Sequence, residues 1–120
     1  MLYSLLSAFL MLTPDTATSG KTFEAVATAY VANCKGCSGI TRDGTKADYR
    51  KAIIAVDPRV IPLGSVVQVT FPDGKVKTYT ARDTGGKIKG ARIDILVKSR
   101  SEAINFGRQI VKIKIIGKKK

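Results

Sequence analysis

Short apolar segments recur along the chain from residue 23 to residue 117, and several of them alternate apolar and polar positions. Alternation with a period of two is typical of a strand with one buried face, and a short unbroken apolar run bounded by Gly or Pro is typical of a buried strand. The pattern predicts six strands, at 23–31, 51–57, 65–71, 75–83, 92–97 and 108–117. Short strands at regular spacing indicate a mainly β domain and favour a small barrel.

Turn and cap signals separate these strands. Pro72, Asp73 and Gly74 predict a hairpin turn between the third and fourth strands, because Pro and Asp start such turns and Gly adopts positive φ. Ser99 and Glu102 have the spacing of a capping box, which predicts a short helix that ends at Gly107. The polar segment 33–50 is expected to form a long loop.

The N-terminal residues 1–20 differ from the rest of the chain. They are apolar for twelve residues and then small and polar, and twelve residues are too few to span a bilayer, which takes about 20. We expect a signal or export segment, although its usual positive start is missing; an N-terminal strand that packs on the domain is the alternative. Residues 21–117 are expected to form one domain, and 118–120 a solvated basic tail.

Charge narrows the choice of partners. The chain has 21 Lys and Arg against 9 Asp and Glu, a net charge of +12. Such a charge favours polyanions (nucleic acid, anionic lipid or an anionic cell wall), unless it serves solubility alone. With few aromatic residues and no Trp, the chain lacks the basic and aromatic interleaving typical of nucleic-acid surfaces, so we expect no nucleic-acid partner. The absence of His excludes His-based triads, leaving proton transfer to Asp, Glu, Lys, Tyr or Cys.

Three aspartates, Asp57, Asp83 and Asp94, lie in or at the end of predicted strands, where Asp is uncommon. Asp94 stands between two isoleucines; if these face the core, its carboxyl group faces a cleft or solvent. A structural role, satisfied by a turn amide or a nearby Arg, stays open for each. If two of them converge, repulsion raises one pKa, giving the protonated acid beside a carboxylate that glycosidic bond cleavage uses. Three further aspartates in predicted loops are expected to be ordinary surface charges: Asp43, Asp48 and Asp73.

Cys34 and Cys37 form a single pair, and a chain without His offers too few further ligands for a zinc site. We therefore expect no metal and no cofactor. A local disulfide in an exported protein and two free thiols both remain open.

The segments CKGCSGITRDGT, IIAVDPRVIPLGSVVQV and ARDTGGKIKGARIDI resemble, in this order, the 3D domain family, which is named for three aspartates. The family's aspartates match Asp57, Asp83 and Asp94, and the resemblance covers about residues 24–117. It implies a six-stranded double-psi β-barrel with one or two short helices, similar to the catalytic region of MltA-type lytic transglycosylases. Small secreted members include stationary-phase survival proteins of Gram-positive bacteria, and phages also carry the domain.

The resemblance implies cleavage of the MurNAc-β-1,4-GlcNAc bond of peptidoglycan with formation of 1,6-anhydro-MurNAc. Asp94 would be the general acid and base, Asp83 would orient it or stabilise positive charge, and Asp57 would complete the cluster. The residues implied to line the glycan groove are Thr28, Tyr30, Thr84, Gly85, Gly86 and Lys89. The implied partners are glycan strands and, through charge, anionic wall polymers, at a secreted or cell-wall location; the oligomeric state stays open.

Arg82 departs from the resemblance, since relatives often have a small apolar residue before DTGG. A guanidinium that points into the site would keep a carboxylate ionised and weaken the acid. The alternative function is a non-catalytic module that binds cell wall or carbohydrate on the same barrel, as in expansin-like proteins.

Overall fold

The computed structural model describes residues 22–32 and 38–118, and this part of the chain contains six strands and two short helical segments. Each predicted strand is present within two residues of its expected bounds. The strands are β1 (Thr22–Tyr30), β2 (Ile53–Val56), β3 (Ser65–Thr70), β4 (Val76–Asp83), β5 (Arg92–Leu96) and β6 (Gln109–Lys118). The helical segments are a 3-10 turn (Tyr49–Lys51) and the helix α1 (Arg100–Phe106).

The six strands close into a barrel in the order β1-β5-β2-β4-β3-β6, and β6 pairs with β1. β1 pairs with β5 and β2 with β4 in parallel, and the other four pairings are antiparallel. The chain runs from β4 directly to β5, yet β2 lies between them. The connection 84–91 therefore crosses the end of β2. The prediction of a six-stranded double-psi barrel is confirmed.

Side chains from alternating positions of the strands fill the interior of the barrel. In β3 and β6 the inward residues Val67, Val69, Val111 and Ile113 are each at most 1% exposed, while their neighbours face outward. Burying a side chain of this size contributes about 1.5–3 kcal/mol. All of β2 is buried, on both faces, which agrees with its unbroken apolar run.

Local signals act as expected at the turn and at the helix. The Ser99 side chain accepts a hydrogen bond from the Glu102 amide at 3.2 Å, and α1 ends at Gly107, with a φ of 65°. Phe106 contacts Phe71 edge to face, with ring centroids 6.1 Å apart. This contact fixes the end of α1 against the residue that follows β3.

Several predictions fall outside the described residues: the export segment 1–20, the Cys34 and Cys37 pair, and most of the basic tail. Within 22–32 and 38–118, no helix has the length and apolar character needed to cross a bilayer.

Candidate active site

Asp83 and Asp94 flank one small residue, Ala55. In the sheet register Ala55 pairs with Asp83 on β4 and with Asp94 on β5. Residues directly opposite one another share a face of the sheet. Because Ile54 and Ile95 belong to the barrel core, Ala55 and both carboxylates lie on the outer face. Neighbouring strands are about 4.8 Å apart, so the backbones of the two aspartates are roughly 10 Å apart.

A β-bulge at Arg82 places Asp83 on this face. Ile54 pairs with Ala81, whereas Ala55 pairs with Asp83, so Arg82 is the extra residue in β4. Ala81 points into the core and is 0% exposed. In a regular strand Arg82 would stand opposite Ala55 and Asp83 would point inward, because side chains alternate between faces. The extra residue shifts the register and turns Asp83 outward.

The Asp83 carboxylate accepts three hydrogen bonds. The Tyr30 hydroxyl donates to Oδ2 at 3.1 Å, and the amides of Arg42 and Thr84 donate to Oδ1, each at 3.0 Å. Burial, followed by the charge of Asp83 and the hydrogen bond to it, raises the pKa of Tyr30 well above its usual range, and the charge of Asp94 adds to this. Tyr30 therefore stays protonated and donates to Asp83.

Asp94 has a different environment. Its Oδ1 accepts one hydrogen bond, at 3.0 Å, from the hydroxyl of Thr28, which lies directly opposite on β1. Burial raises the pKa of Asp94; the Thr28 hydrogen bond and the charge of Arg92 act against this, and the charge of Asp83 adds to it. A partly buried carboxyl group with a raised pKa can carry a proton that a more solvated aspartate would lose.

The Asp57 carboxylate is buried and accepts four hydrogen bonds. It is 3% exposed, and its carboxylate accepts from Arg59 through the backbone amide, through Nε at 3.0 Å and through Nη2 at 2.8 Å. The Gly90 amide donates to its Oδ2 at 2.9 Å. The Arg59 guanidinium, helped by these amides, holds the pKa of Asp57 well below its usual range. Asp57 therefore anchors the far end of the 84–91 connection as a carboxylate, whereas Asp83 and Asp94 face each other across Ala55.

Within the connection 84–91, the two adjacent glycines differ. A Cβ on Gly85 would lie 2.9 Å from Cγ1 of the buried Ile88, so this position has no room for a side chain. At Gly86, a Cβ would meet nothing within 4 Å. Gly86 and Lys89 are both exposed. Thr84 acts through its amide, which donates to Asp83.

Arg82 is paired with Asp43 and is not among the charges that shift the pKa of Asp94. Its Nη1 donates to Oδ2 of Asp43 at 2.9 Å, in the loop between β1 and β2. Asp43 lies at the surface, as the sequence predicted, but it is not an isolated charge, because its side chain is 22% exposed and also accepts from Thr41 and Thr45. Thr41, Arg42 and Asp43 form a turn in contact with Arg82 and Asp83 that sequence reasoning missed. The TRDGT segment, with Thr and Asp before Gly, carries the signal of a tight turn that could have found them.

An open cleft of about 160 Å³ lies beside Asp83. Its walls come from the end of β1 and the following residues, and from the loop before β2: Tyr30, Val31, Ala32, Ser38, Gly39, Ile40 and Ala47. In the described part of the chain, no three His, Cys, Asp or Glu side chains are grouped so as to hold a metal ion.

These features define a double-psi β-barrel domain whose candidate site consists of paired carboxylates on the outer face. The chain matches the 3D domain family over residues 52–117, more than half of its length, and it belongs to that family.

Two relatives come from Bacillus subtilis. The chain is 52% identical over 99 residues to the SPbeta prophage-derived uncharacterized protein YorM, covering 78% of this chain and 41% of that protein. It is 45% identical over 100 residues to the cell wall-binding protein YocH, covering 82% of this chain and 33% of that protein. The chain thus spans less than half the length of these relatives.

Solved structures share the barrel. Clavibacter michiganensis expansin aligns with a TM-score of 0.60 at 18% identity, over 80% of this chain and 50% of that one. The lytic transglycosylase MltA of Escherichia coli aligns with a TM-score of 0.56 at 20% identity, over 69% of this chain and 29% of that one. A further MltA structure contains bound chitohexaose. At these identities the likeness is one of fold.

Proposed function

We propose that this domain is a lytic transglycosylase that cleaves the MurNAc-β-1,4-GlcNAc bond of peptidoglycan and leaves a 1,6-anhydro-MurNAc end. The observation that carries the proposal is the contrast between the two facing carboxyl groups. Asp94 is partly buried, has a raised pKa and accepts one hydrogen bond, whereas Asp83 accepts three. Such a contrast separates an acid from a charge-stabilising carboxylate.

In the proposed reaction, protonated Asp94 donates its proton to the glycosidic oxygen as the bond from this oxygen to C1 of MurNAc breaks. Asp83, held by Tyr30 and two amides, stabilises the positive charge that develops at C1. The Asp94 carboxylate then accepts the proton of the MurNAc 6-hydroxyl while O6 bonds to C1. Asp94 ends protonated, no water is consumed, and no cofactor takes part.

The remaining site residues have supporting roles in this proposal. Thr28 holds the Asp94 carboxyl group in one orientation, and Tyr30 does the same for Asp83. Asp57 supports the site from outside the carboxylate pair, because it accepts a hydrogen bond from the Gly90 amide and so fixes the loop that carries Gly86 and Lys89. Within this loop, Gly85 leaves room for the Ile88 side chain, and the Thr84 amide donates to Asp83.

We also propose a cell-wall or extracellular location, with peptidoglycan and anionic wall polymers as partners. This is supported by a relative described as a cell wall-binding protein and by another described as a putative cell wall shaping protein. The net charge of +12 suits attraction to polyanionic wall polymers. Binding to purified walls that does not weaken between low and high salt would contradict the electrostatic part of this proposal.

A second candidate is a module that binds the wall without cleaving it. It is supported by the YocH description and by the fold shared with expansin, of which a variant was solved in complex with cellohexaose. The presence of a raised-pKa carboxyl group on the outer face favours the enzyme, because binding alone does not require one.

The deciding experiment uses the wild-type chain and Asp94→Asn, which keeps the shape and the acceptor for Thr28 but cannot donate an acidic proton. Each protein is incubated with purified peptidoglycan, and 1,6-anhydro-muropeptides are measured by mass spectrometry. We expect release by the wild type and a loss of about 10²–10⁴-fold in the variant, the usual contribution of a general acid. The matched control is Asp73→Asn in the exposed hairpin turn, which should retain activity. Equal release by the wild type and Asp94→Asn would refute the role of Asp94, and wall binding without release by either would favour the binding module.

A further inference from the structure

Arg82 brings a permanent positive charge to the position directly before Asp83. An arginine within about 4–6 Å of a carboxylate lowers its pKa by about 1–3 units. If the Arg82 guanidinium turned toward Asp94, it would favour the ionised form of the group that must carry a proton. The proposed reaction therefore requires this guanidinium to be held elsewhere.

Asp43 holds Arg82 at two points. Its Oδ2 accepts from Nη1 of Arg82 at 2.9 Å, and its backbone amide donates to the Arg82 carbonyl at 3.1 Å. The two side chains are only 22% and 20% exposed, so the ion pair is better shielded from water than a surface pair. Both the backbone and the side chain of Arg82 are thus fixed at the bulge.

Residues of its own turn also hold the Asp43 carboxylate in place. Its Oδ1 accepts from the Thr41 hydroxyl at 2.7 Å and from the Thr45 amide at 3.0 Å. Gly44 closes the turn with a φ of 89°, in the left-handed region that favours glycine. Burial raises the pKa of Asp43, but the hydrogen bonds from Thr45, Thr41 and Arg82 outweigh it and hold the pKa below its usual range. The lowered pKa of Asp43 favours the ionised form that pairs with Arg82.

Arg42, which precedes Asp43, contacts Asp83, which follows Arg82. The Arg42 amide donates to Oδ1 of Asp83 at 3.0 Å, while Asp43 binds Arg82. One turn of the loop between β1 and β2 therefore contacts both residues of the bulge. This turn donates a hydrogen bond to Asp83 and also binds the neighbouring Arg82 guanidinium.

We infer that Asp43 is a positioning residue that holds the Arg82 guanidinium away from the Asp83 and Asp94 pair, through the 2.9 Å ion pair across the loop. The inference rests on the proposed function, because it explains how Asp94 can remain an acid beside an arginine. The charged groups that face Asp94 in the described structure are Asp83 from β4 and Arg92 from β5, with the Tyr30 hydroxyl and Thr28 on β1. Freed Arg82 would add a second cation to this set.

The test is a double-mutant cycle with Asp43→Asn, Arg82→Ala and the double variant Asp43→Asn/Arg82→Ala. Asn at 43 keeps the acceptor for Thr41 and Thr45 but loses the charge that binds Arg82. The control is Asp48→Asn, which removes the charge from a similar but exposed pair with Arg50 at 2.8 Å. For each folded variant, the pKa of the Asp94 carboxyl group is measured by carbon-detected NMR titration, and the release of anhydro-muropeptides is measured separately.

We expect the Asp94 pKa to fall by about 1–3 units in Asp43→Asn and to return to the wild-type value in the double variant. Release should fall about tenfold or more in Asp43→Asn and recover to within about threefold in the double variant. Arg82→Ala and Asp48→Asn should leave both quantities close to wild type.

Two results would overturn the inference. An Asp43→Asn defect that persists in the double variant would show that Asp43 acts only by shaping its loop. A raised Asp94 pKa in Arg82→Ala would show that the guanidinium already acts on the carboxylates in the wild type. The NMR cycle does not depend on catalysis, so a wild type without anhydro products would refute the proposed function while the cycle still decides the role of Asp43.

Discussion

The Tyr30 hydroxyl donates to Asp83 across 53 positions of sequence, at 3.1 Å. Tyr30 is the last residue of β1 and Asp83 the last residue of β4, and two other strands, β5 and β2, lie between these two in the barrel. The hydrogen bond therefore connects the two sides of the candidate site. It orients a carboxylate that would otherwise be held by backbone amides alone.

Tyr30→Phe removes this hydroxyl and keeps the ring. We expect the release of anhydro-muropeptides to fall about tenfold, because one hydrogen bond to a charged group contributes about 1.5–3 kcal/mol. The melting temperature should also fall by several degrees, since the same hydrogen bond stabilises the fold. The matched control is Tyr49→Phe, whose ring is exposed and lies in the 3-10 turn. An unchanged rate in Tyr30→Phe would remove this tyrosine from the site.

Asp94→Asn should stabilise the fold in a pH-dependent way. Because the pKa of Asp94 is raised in the folded state, the folded protein binds the proton more tightly than the unfolded chain. The wild type therefore loses stability as the pH rises from about 4, the ordinary Asp pKa, through the folded-state value. Asparagine does not titrate, so the gain in the variant should be small at low pH and grow across this window. Chemical denaturation at several pH values measures it, and a constant difference would contradict the raised pKa.

Asp57→Asn should have the opposite pH dependence. The pKa of Asp57 is lowered in the folded state, mainly by Arg59, so its carboxylate stabilises the fold above about pH 4 and loses this effect as the pH falls. The variant should therefore be less stable than the wild type at neutral pH and approach it in acid. Because the Gly90 amide loses a charged acceptor, the loop 84–91 should also exchange its amide hydrogens faster. A variant as stable as the wild type at pH 7 would refute the anchoring role.

Gly85→Ala and Gly86→Ala form a matched pair. The Cβ that Gly85→Ala introduces would lie 2.9 Å from Ile88, which is 5% exposed, so the loop or the isoleucine must move. We expect Gly85→Ala to destabilise the protein by about 1–3 kcal/mol, the usual cost of overpacking. Gly86→Ala meets open space and should stay within about 0.5 kcal/mol of the wild type. Thermal or denaturant unfolding of both variants decides, and equal effects would contradict the packing difference.

Much of the fold could be predicted from local sequence. The period-two pattern predicts β3 and β6, the turn residues before Lys75 predict the hairpin, and the Ser99 cap predicts α1. These features depend on residues within a few positions of one another. The three aspartates could likewise be selected, because Asp is rare inside strands and isoleucines flank Asp94.

The amino-acid sequence by itself determined which segments become strands, since periodicity and turn chemistry are local. It also singled out the three aspartates as candidate functional residues, since Asp is rare in strands. Only the tertiary structure decided what each carboxyl group does. The bulge at Arg82 turns Asp83 outward, Ala55 separates it from Asp94, and Arg59 with Gly90 encloses Asp57. The partnership of Asp43 with Arg82 joins residues 39 positions apart. Strand register and loop packing set most of these contacts, because the main partners of Asp83 and Asp94 are distant in sequence, whereas Arg59 is only two residues from Asp57.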